Sequence, residues 1–231
     1  MSPRVVAAGD STLVVEFDDR IALDVNAQAT ALARRLAKLR ITGVRDIVPT
    51  FRTVAVAFDP LTTDVIALGE ALRRSLKTTQ SREAPPSRII EVPVCYDAEF
   101  GPDLGSVASG AGVDRDTVIA LHTERDYHVF MLGFTPGFAY MGAVEPRIAT
   151  PRLESPRARV AAGSVGIAGE QTGIYPSDTP GGWNIIGRTP LHVWRPGADQ
   201  PALFRAGDTV RFHAIDRATF DQWSGRREGS S

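Results

Sequence analysis

The stretch "AAGSVGIAGEQTGIYPSDTPGGWNIIGRTP", residues 161–190, carries seven glycines and three prolines against only three charges, Glu170, Asp178 and Arg188. A flexible linker has such glycine content, but not Ile167, Ile174, Tyr175, Trp183, Ile185 and Ile186 threaded through it. Its short β-rich runs, "SVGIAG", "TGIYP" and "WNIIG", are separated by Gly/Pro corners and predict successive strands with tight turns. The pattern continues on both sides, in "VFMLGF" (129–134), "RVAAG" (159–163), "LHVWR" (191–195) and "DTVRFHA" (208–214). Many short strands with tight turns predict a small barrel or sandwich.

Upstream the periodicity differs. Two β-like runs, 5–8 and 13–17, precede a helix with Val25, Ala29, Leu32, Leu36 and Leu39 on one face, Asp24 as its N-cap and Gly43 as its stop. Two further β runs, 44–49 and 53–58, lead to a second helix carrying Val65, Leu68, Leu72 and Leu76. Asp64 belongs to its first turn and Arg73 and Arg74 to its last. The order ββαββα predicts an α+β sandwich with two helices on one face of an antiparallel sheet. "KTTQSREAPPS", 77–87, is polar, aperiodic and proline-containing, which places a linker there and two domains at 1–85 and 86–231. "RIIEVPVCYD", 88–97, is a strand of either the first sheet or the second domain. Two short helices follow it, the second capped by Asp114 or Asp116 and ending near 123, and the tail 225–231 is expected to fray.

Composition bounds the function. The 231 residues are 43% apolar and 23% charged with a formal net charge of −1, a soluble globular profile without a general drive toward nucleic acid or anionic membranes. No run reaches the roughly 18 apolar residues of a membrane span, and Asp10 interrupts any signal peptide, so a cytoplasmic protein is expected. The single cysteine, Cys95, lies in a β run and reads as a buried thiol. No P-loop, dinucleotide fingerprint, nucleophile elbow or H-E-x-x-H is present, and Gly163, Gly166 and Gly169 fall between strands instead of opening a helix. His122, His128, His192 and His213 show no ligand spacing, so no metal site is expected. His122 reads as a helix-terminal or core residue, and His192 and His213 as structural residues in β runs.

Two segments remain with functional character. In "GFTPGFAYMG", 133–142, Phe134, Phe138 and Tyr140 surround the turn at Thr135, Pro136 and Gly137. Such rings either form a stiff apolar wall for a ligand or partner, or fill the barrel core. In "TPRLESPRARV", 150–160, Arg152, Arg157 and Arg159 either bind carboxylate or phosphate, or pair with neighbouring acids in a solvated loop. The glycine-rich stretch adds Ser164, Gln171, Thr172, Tyr175, Trp183 and Arg188 as candidates at a barrel rim. The residues alone lead to a preformed pocket or interface, with catalytic residues unassigned.

Taken together, "EFGPDL", "VIALHT", "MLGFTPGFAYMG", the block "ATPRLESPRARVAAGSVGIAGEQTGIYPSDTPGGWNIIGRTP" and "FRAGDTVRF" resemble the 5-oxoprolinase B-subunit family, also known as allophanate hydrolase subunit 1 and Kip inhibitor. The resemblance is dense over residues 88–213. Thr135 and Ala139 depart from it, standing where members often carry an apolar residue and a proline. It implies a small α+β domain followed by a cyclophilin-like β-barrel. It also implies a hydrolase component that works with the C subunit (allophanate hydrolase subunit 2 type) and the A subunit of 5-oxoprolinase. Together these open 5-oxo-L-proline to L-glutamate in an ATP-dependent reaction, with ATP and Mg engaged at the level of the complex. Two alternatives follow from the same family: an inhibitor of a sensor histidine kinase, and a carboxyltransferase-like component of a urea- or allophanate-processing assembly.

Overall fold

A computed structural model describes residues 2–79 and 87–228. The chain divides into two compact units, Met1–Ser87 and Arg88–Ser231.

The first unit follows the ββαββα order: β1 (Arg4–Ala7), β2 (Thr12–Glu16), α1 (Leu23–Leu39), β3 (Val44–Pro49), β4 (Thr53–Phe58) and α2 (Val65–Thr79). The strands form an antiparallel sheet in the order β1-β2-β4-β3. Alternation puts Leu13, Val15, Val54, Val56 and Phe58 on one face, where they bury against Val25, Ala29, Leu32 and Leu36 of α1 and Leu68 and Leu72 of α2. Each fully buried Val or Leu side chain of this set contributes about 1.5–3 kcal/mol, so the interleaved 2- and 3.6-residue periods account for the layer.

The helix ends differ from the sequence expectation. Ala22, not Asp24, occupies the N-cap of α1 and offers no side-chain bond. Asp24 lies in the first turn, its carboxyl held below the usual range by hydrogen bonding to Arg20. Arg40 closes the helix in the left-handed region at φ 43°, so Gly43, at φ 78°, belongs to the entry into β3. Asp64 caps α2 by accepting from the Ile66 and Ala67 amides at 2.8 and 3.3 Å. Arg73 and Arg74 sit mid-helix, because α2 continues through Thr79 and takes in the start of the expected linker; its residues 80–86 lie outside the described residues.

The second unit contains a closed barrel. Its elements are β5 (Ile89–Cys95), α3 (Leu104–Ala111), α4 (Arg115–Thr123), β6 (Asp126–Leu132), β7 (Ala139–Gly142), β8 (Arg157–Val160), β9 (Ser164–Ala168), β10 (Gln171–Ile174), β11 (Thr179–Gly181), β12 (Asn184–Arg188), β13 (Thr209–Ile215) and α5 (Arg217–Glu228). Seven strands close in the order β10-β7-β6-β13-β5-β12-β9, and β8 pairs with β11 in a separate ribbon. The strand at 89–95 therefore belongs to the barrel, running parallel to β13 from Ile89↔Thr209 to Cys95↔Ile215. Asp114 caps α4 through a 2.7 Å bond from the Thr117 amide.

The interior is filled by alternate residues: Val92 and Val94, Tyr127 and Val129, Val165 and Ile167, Val210 and Phe212, joined by Leu104, Val107 and Val118 from α3 and α4. Cys95 is buried and its thiol pushed up by desolvation. Two expectations fail here. Residues 191–195 form no strand, only the isolated bridge Trp194↔Ala202, so His192 lies outside any β run while His213 is in β13. The tail expected to fray is helical through Glu228 in α5, which docks Phe220 against Phe100 with ring centroids 4.5 Å apart; residues 229–231 lie outside the described residues.

Candidate functional site

Strands β9, β10 and β12 are buried on both faces, which is why the glycine-rich stretch 161–190 is so continuously apolar. Their inner residues join the barrel core. Their outer residues form a second cluster: Ala168, Tyr175, Trp183 and Ile185 with Phe138 and Val160, half-covered by Tyr140. Phe138 is its hub, meeting Tyr140, Trp183 and Tyr175 edge-to-face at 4.9, 5.3 and 5.4 Å. Such pairs are worth about 0.5–1.5 kcal/mol each beyond their buried area, so the rings hold one another in place. Gly173 makes room for them: a Cβ there would come 2.9 Å from the Ala139 carbonyl and 3.1 Å from the Phe138 ring.

A cavity of about 430 Å³ opens beside this cluster, within the roughly 300–1,000 Å³ usual for small-molecule sites. Phe134, Tyr140, Tyr175 and Trp183 supply aromatic wall, Leu153, Pro156 and Pro180 aliphatic wall, and Arg152 the only formal charge among the lining residues. Thr135, Thr179, Gly181 and Gly182 complete it. A Cβ on Gly181 would lie 2.3 Å from the Tyr175 hydroxyl, so glycine lets that phenol reach the wall. Burial raises the Tyr175 phenol above its usual range, opposed by the Trp183 backbone and by the nearby charges of Arg152 and Arg157.

The walls are anchored by specific bonds. The Leu153 amide donates to the Gly182 carbonyl at 2.8 Å, and Asn184 Nδ2 donates to the Pro151 carbonyl at 2.7 Å, which ties the loop before β8 to β12. Asp103, at the start of α3, accepts from Arg157 Nη2 at 2.6 Å and from the Ile185 amide at 2.7 Å, which ties β8 to the barrel wall. The aromatic turn closes through Phe138 N donating to the Thr135 carbonyl at 3.1 Å. Within it Phe134 is 63% exposed and holds φ 69°, a conformation bulky residues seldom adopt.

The sequence candidates thus separate. Phe134, Tyr140, Arg152, Tyr175 and Trp183 come together around the cavity, with Phe138 directly behind them and Pro136 exposed on the turn above. Arg157 braces β8 through Asp103, and Arg159 pairs with Asp178 on the surface. Arg188 donates from Nε to the Ala162 carbonyl at 2.9 Å and lies 5.8 Å from the Phe100 ring. Gln171 starts β10 opposite Ala168, and Ser164 is buried in β9. Thr172 points into the barrel. There it completes a chain: Tyr96 O–H donates to His122 Nδ1 at 2.8 Å, His122 Nε2–H donates to Thr172 Oγ1 at 3.0 Å, and Thr172 donates to the Gly166 carbonyl at 3.0 Å. Because Thr172 uses its proton on Gly166, the neutral Nε2–H tautomer satisfies every member. Burial depresses His122 to about 3, so it is a core histidine.

Leu153, Pro156, Thr179 and Pro180 were not singled out from the sequence. Their signal lay in "RLESP" and "SDTPGG", where the prolines read as corners although they also present apolar surface.

Residues 3–204 match the family described as carboxyltransferase domain, subdomain C and D. The chain is 40% identical over 222 residues to the 5-oxoprolinase B subunit of Bacillus subtilis (strain 168), covering 92% of both chains. It is also 40% identical over 212 residues to the 5-oxoprolinase B subunit of Escherichia coli O157:H7, covering 90% of this chain and 94% of that one. The chain belongs to the 5-oxoprolinase B-subunit family. Among solved structures, the protein TTHA0988 matches with a TM-score of 0.79 and 37% identity over 89% of this chain. This family member spans only 40% of that chain, so more than half of TTHA0988 lies outside the match.

Proposed function

We propose that this chain is the B subunit of an ATP-dependent 5-oxoprolinase, a hydrolase that opens 5-oxo-L-proline to L-glutamate, and that the cavity beside Trp183 is its substrate-facing site. The observation that carries this reading is the 40% identity to proteins named as 5-oxoprolinase B subunits, across nine-tenths of both partners. The chemistry explains the ATP requirement. A lactam is a weak electrophile, and phosphorylating its oxygen gives a species water can open, with charge developing where fixed donors stabilise it.

ATP with Mg does not suit this cavity as it stands. Its lining offers one guanidinium and no carboxylate, and no cluster of three or more metal-ligating residues occurs among the described residues. The nucleotide step is therefore assigned to the complex. The partners proposed are the C and A subunits of that enzyme. Support for a stable companion comes from TTHA0988, a related chain more than twice as long as the part it shares with this one. A cytoplasmic location fits the sequence, and no helix among the described residues is long and apolar enough to cross a membrane.

The test is reconstitution. The chain purified with its partner subunits is expected to release glutamate from 5-oxoproline only when ATP is present, and omitting the chain abolishes release. Equal release without it would refute the proposal.

A further inference from the structure

Three guanidinium groups leave the same short segment, and their fates differ. Arg157 is committed to Asp103, and Arg159 to Asp178. Arg152 makes no hydrogen bond or ion pair among the described residues, yet it lines the cavity and its charge acts on the Tyr175 phenol there. Every other lining residue is uncharged. Arg152 is exposed and lines the cavity at its aromatic and aliphatic walls, so an anion entering the cavity reaches a guanidinium that no carboxylate among the described residues holds. The complement of such a cavity is a small ligand with one negative charge and an apolar, ring-sized body.

We infer that Arg152 is the specificity-determining residue of this site, holding the carboxylate of the lactam acid while Tyr140, Tyr175 and Trp183 enclose the ring. The inference rests on the proposed 5-oxoprolinase reading and adds to it a recognition rule: the site selects amide rings bearing a carboxylate over the same rings without one. A planar guanidinium meets a carboxylate through two parallel N–H···O bonds, which fixes the orientation of the ring as well as its position. A polyanionic nucleotide would leave most of its charge unmatched here. The loop carrying Arg152 is pinned by the Leu153–Gly182 and Asn184–Pro151 bonds, so the guanidinium is presented from a fixed backbone.

The experiment compares the unmodified chain with Arg152→Gln and Arg152→Lys in the assembled complex. It reads the KM for 5-oxoproline and the inhibition constant of 2-pyrrolidone, the same lactam lacking the carboxylate. For Arg152→Gln the KM is expected to rise about 10–100-fold, the range for losing a charge-assisted hydrogen-bonded contact, while the 2-pyrrolidone constant stays within about twofold. Arg152→Lys restores part of the loss, since it keeps the charge and gives up the fork. An unchanged KM in Arg152→Gln, or equal weakening of 5-oxoproline and 2-pyrrolidone, overturns the role of Arg152 while leaving the enzyme reading intact. Absence of glutamate release from the unmodified assembly overturns both.

Discussion

The barrel interior and the cavity outside its wall are built from the same strands, and they treat polar groups in opposite ways. Inside, Tyr96, His122 and Thr172 form a chain in which each donor has an acceptor, ending on the Gly166 carbonyl. Outside, Arg152 stands at an aromatic wall without an ion-pair partner among the described residues. The parity of β10 separates the two regions: Thr172 and Ile174 face inward, while Gly173 and Tyr175 face the outer cluster. The interior matches its buried polar groups within the fold, whereas the cavity leaves its one charge, on Arg152, for the proposed ligand.

The largest way to break this contrast is His122→Ala. It leaves the Tyr96 and Thr172 hydroxyls without their shared partner and opens a void against Phe212 and Tyr127, whose rings lie 4.6 and 5.3 Å from the imidazole. Unfolding measured with denaturant should show a loss of about 3–5 kcal/mol. If the loss stays below about 1 kcal/mol, the network is not structural.

The same histidine predicts a pH dependence. Its folded value is depressed to about 3 against an ordinary 6.5, so between those values the unfolded chain binds the extra proton. Stability attributable to His122 is thus complete above about pH 6.5 and falls as pH drops toward 3, by up to about 1.4 kcal/mol per unit. Comparison of unfolding free energies at about pH 5 and pH 7 in the unmodified chain and in His122→Phe checks this. The slope should be shallower in the variant, and identical slopes would refute it.

Asp103→Asn addresses the boundary between the two regions. It removes the charge that Arg157 faces and weakens the tie between β8 and the barrel wall. We expect a loss of about 1–3 kcal/mol and faster amide exchange in 157–160 and 179–181 than in β9. Uniform exchange across both segments would show that the ribbon is not held by this carboxylate.

The smallest effect, and one of opposite sign, is expected at Thr135, where the buried Oγ1 has no hydrogen-bond partner among the described residues. Thr135→Val removes that group at nearly constant volume and should raise stability by about 1 kcal/mol. A lowered thermal midpoint would reveal a partner for the hydroxyl.

These regions were not equally legible in the sequence. The ββαββα layer was readable because α1 and α2 carry full apolar stripes and β2 and β4 alternate cleanly. The caps were not, since Ala22 offers no side-chain signal and Arg40 adopts a left-handed backbone that its residue type does not announce. Helix α5 escaped notice because "RATFDQWSGRRE" carries only Phe220 and Trp223 as large apolar residues. Strand β11 is three residues long with a central proline, a composition that reads as a turn. Of the residues singled out by type, Phe134, Tyr140, Arg152, Tyr175 and Trp183 line the cavity. Residue type misplaced Thr172, although sharing parity with Ile174 already directs that hydroxyl inward. Which of three nearby arginines lacked a counter-ion depended on Asp103 and Asp178, and Asp103 lies 54 positions from Arg157.

The claim that Arg152 serves recognition while the interior network serves the fold meets its most direct test in one measurement. This is the rise in thermal midpoint that saturating 5-oxoproline produces in the assembled complex, compared between the unmodified chain and Arg152→Gln. Equal midpoints are expected without ligand, with a rise on ligand addition in the unmodified chain and little or none in the variant. A lower unliganded midpoint in Arg152→Gln, or the same rise in both, would contradict that claim.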